Sequence, residues 1–391
     1  MNLTLPLLKN VLFSNRERLI RLSTERKRLQ NLFINIANDF YNKFVEEELE
    51  EEIYEAGAKP VESLTTPKNA SLPFHPFTQT FKDVSSATSW ADEVLRGHEV
   101  GAVDGSHLTP FSLHGLPLGF VRVGWYLNLH RDSLFEKGSE LKLVLPEENT
   151  VYMTESKINF ERTYGELNKI KSLIKAISKD SQEEALLFFD GSFVFSFAEH
   201  LGEKEKEKYR AVLKDIFTLS KRHKVAVVGF VDNSLAHDFT NTLLNFQKKL
   251  KEVDAFNVLP LPDSLLFDGV LTKWGERSPV FLCLRKGIIS EKEQDNFNIH
   301  FCYIKTGMST PPCRIEFPTW LFEEGLVDQM VFLVLAQCVV GRGYPLVLKK
   351  AHDYSVITAK DRERIVHALF RLIKEEQIAI SPSRKSILKE S

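Results

Sequence analysis

Cysteine is scarce in this sequence, and the few cysteines lie far apart. Cys283, Cys302, Cys313 and Cys338 contain no C-x-x-C pair, which argues against a zinc ribbon. Because no signal-peptide pattern opens the chain, this usage predicts reduced, mostly buried thiols in a cytoplasmic protein. Long apolar runs are also missing. The longest, MVFLVLAQCVV, is too short for a bilayer, which takes about 20 residues, so we expect a buried helix there.

Two more absences concern charge and nucleotide binding. The 51 Lys and Arg against 53 Asp and Glu give a formal net charge of −2, so the chain has no overall basic excess. A nucleic-acid partner would therefore have to meet positive charge that is gathered locally. No G-x-x-x-x-G-K-[ST] segment occurs, so ATP hydrolysis, where it is needed, would come from another protein.

What is present predicts a large globular chain with a helical start. Its 391 residues, 43% of them hydrophobic, are enough for two or three domains or for one large domain with additions. Leucine and isoleucine recur at helical spacing near the start, which predicts a helical N-terminal arm over residues 1–60. Proline, serine, threonine and asparagine mark residues 61–89 as a linker or surface loop. We expect a main domain over residues 90–380 and a flexible tail over 381–391.

The main domain alternates between strand and helix patterns. EVGAVDGSHL, LGFVRVGWYLNLH and LKLVLPE predict a meander of strands. A helix is predicted over about residues 158–177, then the strand ALLFFD, a helix over about residues 203–222 and the buried strand KVAVVGFV. The C-terminal part, from RIEFPTWL onward, is mostly helical in pattern. This order predicts an α/β fold with a mixed sheet flanked by helices.

Two of the strand segments end in the same three residues, Asp-Gly-Ser, at Asp104 and at Asp190. Asp-Gly alone is typical of a turn. Here each aspartate follows an apolar run that carries it close to the interior, where a carboxylate is costly unless something compensates its charge. A divalent cation shared by both would do so, since Mg²⁺ and Mn²⁺ prefer oxygen ligands, and glycine lets a metal or phosphate approach the backbone.

A third acid from a facing helix would complete such a site, which is the layout of metal-dependent phosphodiester cleavage. The helix before the second motif offers Glu161 and Glu166. Five residues apart, they lie on different faces of that helix. Glu166 borders the apolar stripe through Ile170 and Leu173, so we prefer it and keep Glu161 as the alternative.

AVDGS and FFDGS resemble the paired motifs of the NurA nuclease family. WGERSPVF, FCYIKTG, CRIEFPTWL, AQCVVGRGYPLVLKKAHDYSVIT and KDRERIV extend this resemblance, in its bacterial form, over about residues 99–372. The resemblance implies an RNase H-like core and a Mn²⁺- or Mg²⁺-dependent nuclease that degrades DNA from 5′ to 3′ and also cuts single strands. It further implies a homodimer that acts with HerA, a hexameric ATPase, in DNA end resection and repair.

The resemblance also assigns site residues. It implies that Asp104 and Asp190 bind the metal, and that Glu166 is the helix glutamate of the family. His352, in KKAHDYSV, matches a late histidine suited to ligate the metal or to move a proton near the scissile phosphate. Tyr303, in FCYIKTG, is the best match for a family tyrosine.

Three arginines are candidates for DNA phosphates, because the planar guanidinium can grip two oxygens: Arg277, Arg314 and Arg342. Glu316 could instead be the structural partner of Arg314. A lysine that many relatives carry after the third core strand has no counterpart in VVGFVDNSLAHDF. The alternative function is a non-catalytic, NurA-like assembly or DNA-binding subunit of a HerA complex, although the acids of both motifs argue against it.

Overall fold

The chain divides into two compact units, each described here by itself. The computed structural model describes residues 5–46, 48–62, 66–67, 70–113, 116–131, 134–147, 152–177, 185–194, 201–250, 259–285 and 298–378. The smaller unit comprises Met1–Thr78, Asp232–Lys286 and His300–Arg314, and the larger comprises Gln79–Val231, Gly287–Ile299 and Ile315–Ser391. The predicted tail, 381–391, lies outside the described residues.

Strands and helices are numbered in chain order. The strands are β1 (Ala58–Pro60), β2 (Glu99–Leu113), β3 (Leu116–Asn128), β4 (Phe135–Val144), β5 (Ala185–Asp190), β6 (Val225–Val231), β7 (Phe281–Cys283), β8 (Ile299–Ile304) and β9 (Cys313–Pro318). The helices are α1 (Leu5–Ser14), α2 (Arg16–Glu46), α3 (Val84–Leu95), α4 (Glu155–Ile177), α5 (Glu203–His223), α6 (Asp238–Lys249), α7 (Asp263–Asp268), α8 (Thr319–Glu323), α9 (Val327–Val340), α10 (Leu346–Ser355) and α11 (Ala359–Glu375).

The larger unit is built on a mixed sheet with the strand order β9-β6-β5-β2-β3-β4. β2, β3 and β4 form an antiparallel meander, whereas β5 is parallel to both β2 and β6. Asp104 of β2 is the register partner of Gly124 in β3, so Gly105 and Gly124 face opposite sides of the sheet. A side chain at Gly105 would run into α4, and one at Gly124 would run into α10. The two helices therefore cover opposite faces.

The smaller unit has an aromatic core and its own strands. β1, β7 and β8 pair antiparallel. The predicted N-terminal arm is helical in α1 and α2, and the buried face of α2 packs against α6, α7 and these strands. That core includes Phe33, Ala37, Phe40, Phe239, Phe267, Phe281 and Phe301. Burying such large apolar side chains is the main term that holds the unit together.

The predicted fold class is confirmed: a mixed sheet flanked by helices, with helices near both ends of the chain. The buried helix predicted from MVFLVLAQCVV is also confirmed, within α9. One segment differs, because RIEFP, predicted as part of a helical region, forms strand β9. Its charged residues alternate with apolar ones, which is the strand period. Among the described residues, no helix is long and apolar enough to cross a membrane.

Candidate active site

Asp104 lies within β2 and not at its end. The strand continues through the first Asp-Gly-Ser, so the predicted turn is absent there. The carboxylate is 6% exposed, and two groups of α10 donate to the same oxygen, Oδ2: His352 Nδ1 at 2.8 Å and Ser355 Oγ at 2.9 Å. Gly124 makes this approach possible, because a Cβ there would lie 2.5 Å from the Ser355 nitrogen.

The serine of the first motif anchors α10. Ser106 Oγ donates to the carbonyl of Ser355, the last residue of that helix. Arg122, the register partner of Ser106, donates from Nη1 to the carbonyl of Val356 at 3.2 Å. These bonds fix the helix end that presents His352 to Asp104.

Glu166 reaches the sheet from α4 and is 1% exposed. Arg162 Nη1 donates to Oε1 of Glu166 at 2.8 Å, while Oε2 of Glu166 is buried without a hydrogen-bond partner. A Cβ at Gly105 would clash with Oε1, so the glycine of the motif makes room for this carboxylate. Burial raises the pKa of Glu166 to about 8, and the charges of Asp104 and Asp190 add to the shift, against the opposing effect of Arg162.

Glu161, the alternative third acid, points to other partners. It pairs with Lys142 at 2.6 Å and with Lys157 at 3.7 Å. Of the two glutamates, the structure brings Glu166 to the aspartates.

Asp190 ends β5, as the sequence predicts. Tyr344 donates from its hydroxyl to Oδ1 at 3.2 Å. Burial, helped by the charge of Asp104, raises the pKa of Asp190 to about 6, while Tyr344 and His352 oppose the shift. Gly191 follows at φ +145° and donates to the carbonyl of Phe230 at 3.1 Å, so the second motif does turn.

Glu316 holds this second turn. It is 1% exposed and accepts from Ser192 Oγ at 2.9 and 2.8 Å and from the Phe193 backbone nitrogen at 2.7 Å. Arg314, for which Glu316 was the alternative partner, pairs with Asp238 at 2.6 Å. The serines of the two motifs thus have different partners, a helix end and a buried carboxylate.

We call Asp104, Glu166 and Asp190 the carboxylate cluster. Among the described residues, no three His, Cys, Asp or Glu side chains already stand as a set of metal ligands. The cluster nevertheless fits a hard divalent cation by chemistry. Its donors are carboxylate oxygens, one of them is buried without a hydrogen-bond partner, and burial together with mutual repulsion raises two of the pKa values. Arg162, which no sequence motif indicated, supplies positive charge beside it.

Tyr303 does not join the carboxylate cluster. It belongs to the smaller unit and is fully buried, with its hydroxyl 3.3 Å from Asp263 Oδ2 and 3.5 Å from Arg314 Nη1. Burial raises its pKa well above the ordinary value for tyrosine. The tyrosine beside the carboxylates is Tyr344, in GYPLVLKKAH, the segment that also carries His352. That shared segment was the signal that could have found it.

Two of the three predicted phosphate-binding arginines are buried in ion pairs. Arg277 is 2% exposed and makes two bonds to Glu62, at 2.7 and 2.9 Å. Arg314 is 1% exposed and bound to Asp238. Neither presents its guanidinium to a substrate. Arg342 is exposed and lies two residues before Tyr344, on a backbone with φ +61°.

Carboxylates on two neighbouring parallel strands and on a covering helix define an α/β protein whose acids have the chemistry to hold a hard divalent cation. The chain matches the NurA domain over residues 98–357, about two thirds of its length, and it belongs to that family. No curated protein matches the sequence.

Solved structures with a similar fold include the NurA nuclease from Sulfolobus solfataricus. It is 11% identical, the match covers 96% of this chain and 98% of that one, and the TM-score is 0.50. A structure of NurA with manganese is 11% identical over 93% of this chain and 98% of that one, with a TM-score of 0.45. At this identity the likeness to the Sulfolobus protein concerns the fold.

Proposed function

We propose that this chain is a metal-dependent deoxyribonuclease that hydrolyses phosphodiester bonds. One observation carries the proposal: Asp104 and Glu166 are buried and Asp190 is half-buried, and these three acids have one arginine beside them. A protein that did not use these acids would gain stability by losing them, because uncompensated buried charge is costly. Membership of the NurA family, and the nuclease named in the Sulfolobus relative, support the same conclusion.

Asp104, Glu166 and Asp190 would hold Mn²⁺ or Mg²⁺. Such an ion would supply an activated water and stabilise the leaving oxygen. Other side chains of the protein hold the carboxylates in position for the ion. Tyr344 fixes one oxygen of Asp190, Ser355 fixes one of Asp104, and Arg162 fixes one of Glu166. Outer contacts of this kind orient ligands and tune their affinity.

His352 is proposed as the group that moves a proton. Its Nδ1 is already bound to Asp104, and its side chain is 60% exposed. The second ring nitrogen, Nε2, is then the one that can exchange a proton with solvent or with a departing oxygen. Since Nδ1 is engaged by a carboxylate, we prefer this role to that of a metal ligand.

The finer expectations from the family are part of the proposal. They are 5′ to 3′ degradation of DNA with single-strand cutting, action as a homodimer with a HerA-type hexameric ATPase in end resection, and a cytoplasmic location. The missing P-loop motif supports the need for a separate ATPase. A net charge of −2 supports weak activity without that partner, since phosphate contacts dominate affinity for DNA.

The test is cleavage of 5′-labelled single- and double-stranded DNA with Mn²⁺ or Mg²⁺. Asp104→Asn, Glu166→Gln and Asp190→Asn should each lower the rate about 1,000-fold, since metal catalysis is worth several kcal/mol. Glu161→Gln, on the same helix, should cut like wild type. If wild type is inert even with a cognate ATPase, or the three variants cut as well as it does, the proposal fails. The non-catalytic subunit then takes its place.

A further inference from the structure

Helix α11 lies beyond residue 357, where the match to the NurA domain ends. Its apolar side packs through Val366, Leu369, Phe370 and Ile373 against Leu118 of β3. Its other side carries basic side chains, four of them Lys or Arg and one a histidine, at the spacing i, i+4, i+7, i+11 and i+14. We call these residues the basic stripe: Lys360, Arg364, His367, Arg371 and Lys374.

The basic stripe is exposed and nearly straight. All five side chains are solvent-exposed. At 3.6 residues per turn they fall within about 80° of the helix circumference and span about 21 Å. The acids of the helix lie to its sides: Asp361 pairs with Arg364 at 3.6 Å, and Glu363 and Glu375 flank the stripe. In a chain whose net charge is −2, this is positive charge gathered on one face.

The basic stripe begins beside the carboxylate cluster. Arg122 stands opposite Ser106, two residues beyond Asp104. The same arginine pairs with Asp361, in the first turn of α11, at 3.6 Å. From there the helix runs along β3 to Leu118. The stripe therefore leads from the cluster outward over the surface of the larger unit.

We propose that the basic stripe binds the phosphate backbone of a DNA strand outside the carboxylate cluster. A track of about 21 Å is long enough for several consecutive phosphates of one strand. A line of single charges suits a phosphate ladder, which carries no sequence information. The choice of DNA as the polyanion rests on the proposed function. The buried Arg277 and Arg314 cannot make such contacts, whereas these exposed cations can.

The test measures binding separately from cleavage. Fluorescence anisotropy of a labelled 30-nucleotide single strand is followed in EDTA at several salt concentrations, with the full chain. The stripe variant is Arg364→Gln, Arg371→Gln and Lys374→Gln together, which keeps good helix formers. The control variant removes three exposed cations of α5 that do not form a line: Lys204→Gln, Lys214→Gln and Lys221→Gln.

Wild type and the control should bind alike. The stripe variant should bind at least about tenfold more weakly at 50 mM salt, and its slope of log K against log salt should be smaller by about 2. Equal slopes for both variants, or no binding by wild type at low salt, overturn the inference. An acidic partner protein would then be the ligand to test. Wild type that binds through the stripe but never cuts with metal would overturn only the proposed function.

Discussion

Each unit buries a cluster of charged side chains, and the two clusters differ in balance. In the smaller unit, Asp238 is 1% exposed and accepts from Arg285 at two distances of 2.6 Å and from Arg314 at 2.6 Å. We call Asp238, Asp263, Arg285 and Arg314 the arginine cluster. It holds two acids and two bases. The carboxylate cluster of the larger unit holds three acids, with one arginine and a histidine that is charged only when protonated.

The acids that contact the most cations and the fewest cations show this difference, whereas burial and the charge of Asp238 raise the pKa of Asp263 to about 6 within the arginine cluster itself. Burial alone would raise the pKa of Asp238, but Arg314 and Arg285 outweigh it and lower the pKa. Glu166 and Asp190 have no such pair of cations, and their pKa values rise to about 8 and about 6. Balanced charge holds a fold together, whereas unbalanced buried charge opposes folding and is typical of a site that binds a cation.

The largest expected difference is in stability. Asp238→Asn removes the acid that pairs with both Arg285 and the buried Arg314 and should cost about 3–5 kcal/mol. Asp190→Asn removes repulsion and should cost less than about 1 kcal/mol or stabilise the metal-free protein. Urea unfolding in EDTA measures both. Glu323→Gln, which breaks an exposed pair with Lys221, serves as the control and should change little. Similar losses in both clusters would remove the distinction between them.

A second test uses pH. The folded pKa of Glu166 is about 8 against an ordinary 4.5, so the folded protein holds a proton that the unfolded chain has released between these values. Its contribution to stability is therefore present at low pH and is lost as pH rises toward 8. Asp190 and Asp263, with pKa values of about 6, have mostly titrated below pH 6.5.

From pH 6.5 to 8, metal-free wild type should lose about 1.5 kcal/mol more unfolding free energy than Glu166→Gln does. Mg²⁺ should cancel the loss in wild type, because an ion binds the deprotonated carboxylate. The measurement is urea unfolding at three pH values with EDTA or Mg²⁺. A slope that persists in Glu166→Gln would mean that another group carries it.

The carboxylate cluster could be predicted from the sequence because the patterns that indicate it are local. An apolar run before Asp104 and Asp190 indicates burial, and the stripe of α4 indicates which glutamate faces the sheet. The structure brings these three acids and His352 together, while their roles stay a prediction. The conformation of the first Asp-Gly-Ser was harder to predict. Asp104 pairs with Gly124 of the neighbouring strand β3, and this pairing overrides the tendency of Asp-Gly to form a turn.

The arginine cluster could not be predicted from the sequence, because the residues in contact are far apart along the chain. Asp238 and Arg314 are 76 residues apart, and no pattern near either residue indicates that the two pair. An arginine in a short alternating segment looks exposed until its partner is known. For the same reason Tyr303 could not be separated from Tyr344 by their local surroundings. The grouping of the N-terminal helices with residues 232–286 was equally hidden.

A third test concerns how the second motif is held. Glu316→Gln places an amide where Ser192 and the Phe193 nitrogen donate, so the turn after Asp190 should loosen. We expect Mn²⁺ affinity to fall about 10- to 100-fold, the usual effect of changing a residue that orients ligands. Titration calorimetry with Mn²⁺ measures it. Glu62→Gln is the matched control, since Glu62 accepts from Arg277 and from the Val280 nitrogen in the smaller unit. It should lower stability and leave Mn²⁺ affinity unchanged; equal affinity in both variants would make Glu316 merely structural.

The smallest expected effect separates the two tyrosines. Tyr344→Phe removes a hydroxyl beside the carboxylate cluster, and Tyr303→Phe removes one beside the arginine cluster. The first loses the bond to Asp190 and should lower DNA cleavage about tenfold with little change in stability. The second removes a buried hydroxyl beside Asp263 and Arg314 and should cost about 1 kcal/mol of stability while cleavage stays at the wild-type level. Rates with saturating metal and melting temperatures, taken on the same preparations, decide the matter. If folded Tyr303→Phe lost cleavage, Tyr303 would have to be counted among the active-site residues, and the arginine cluster would take part in the reaction.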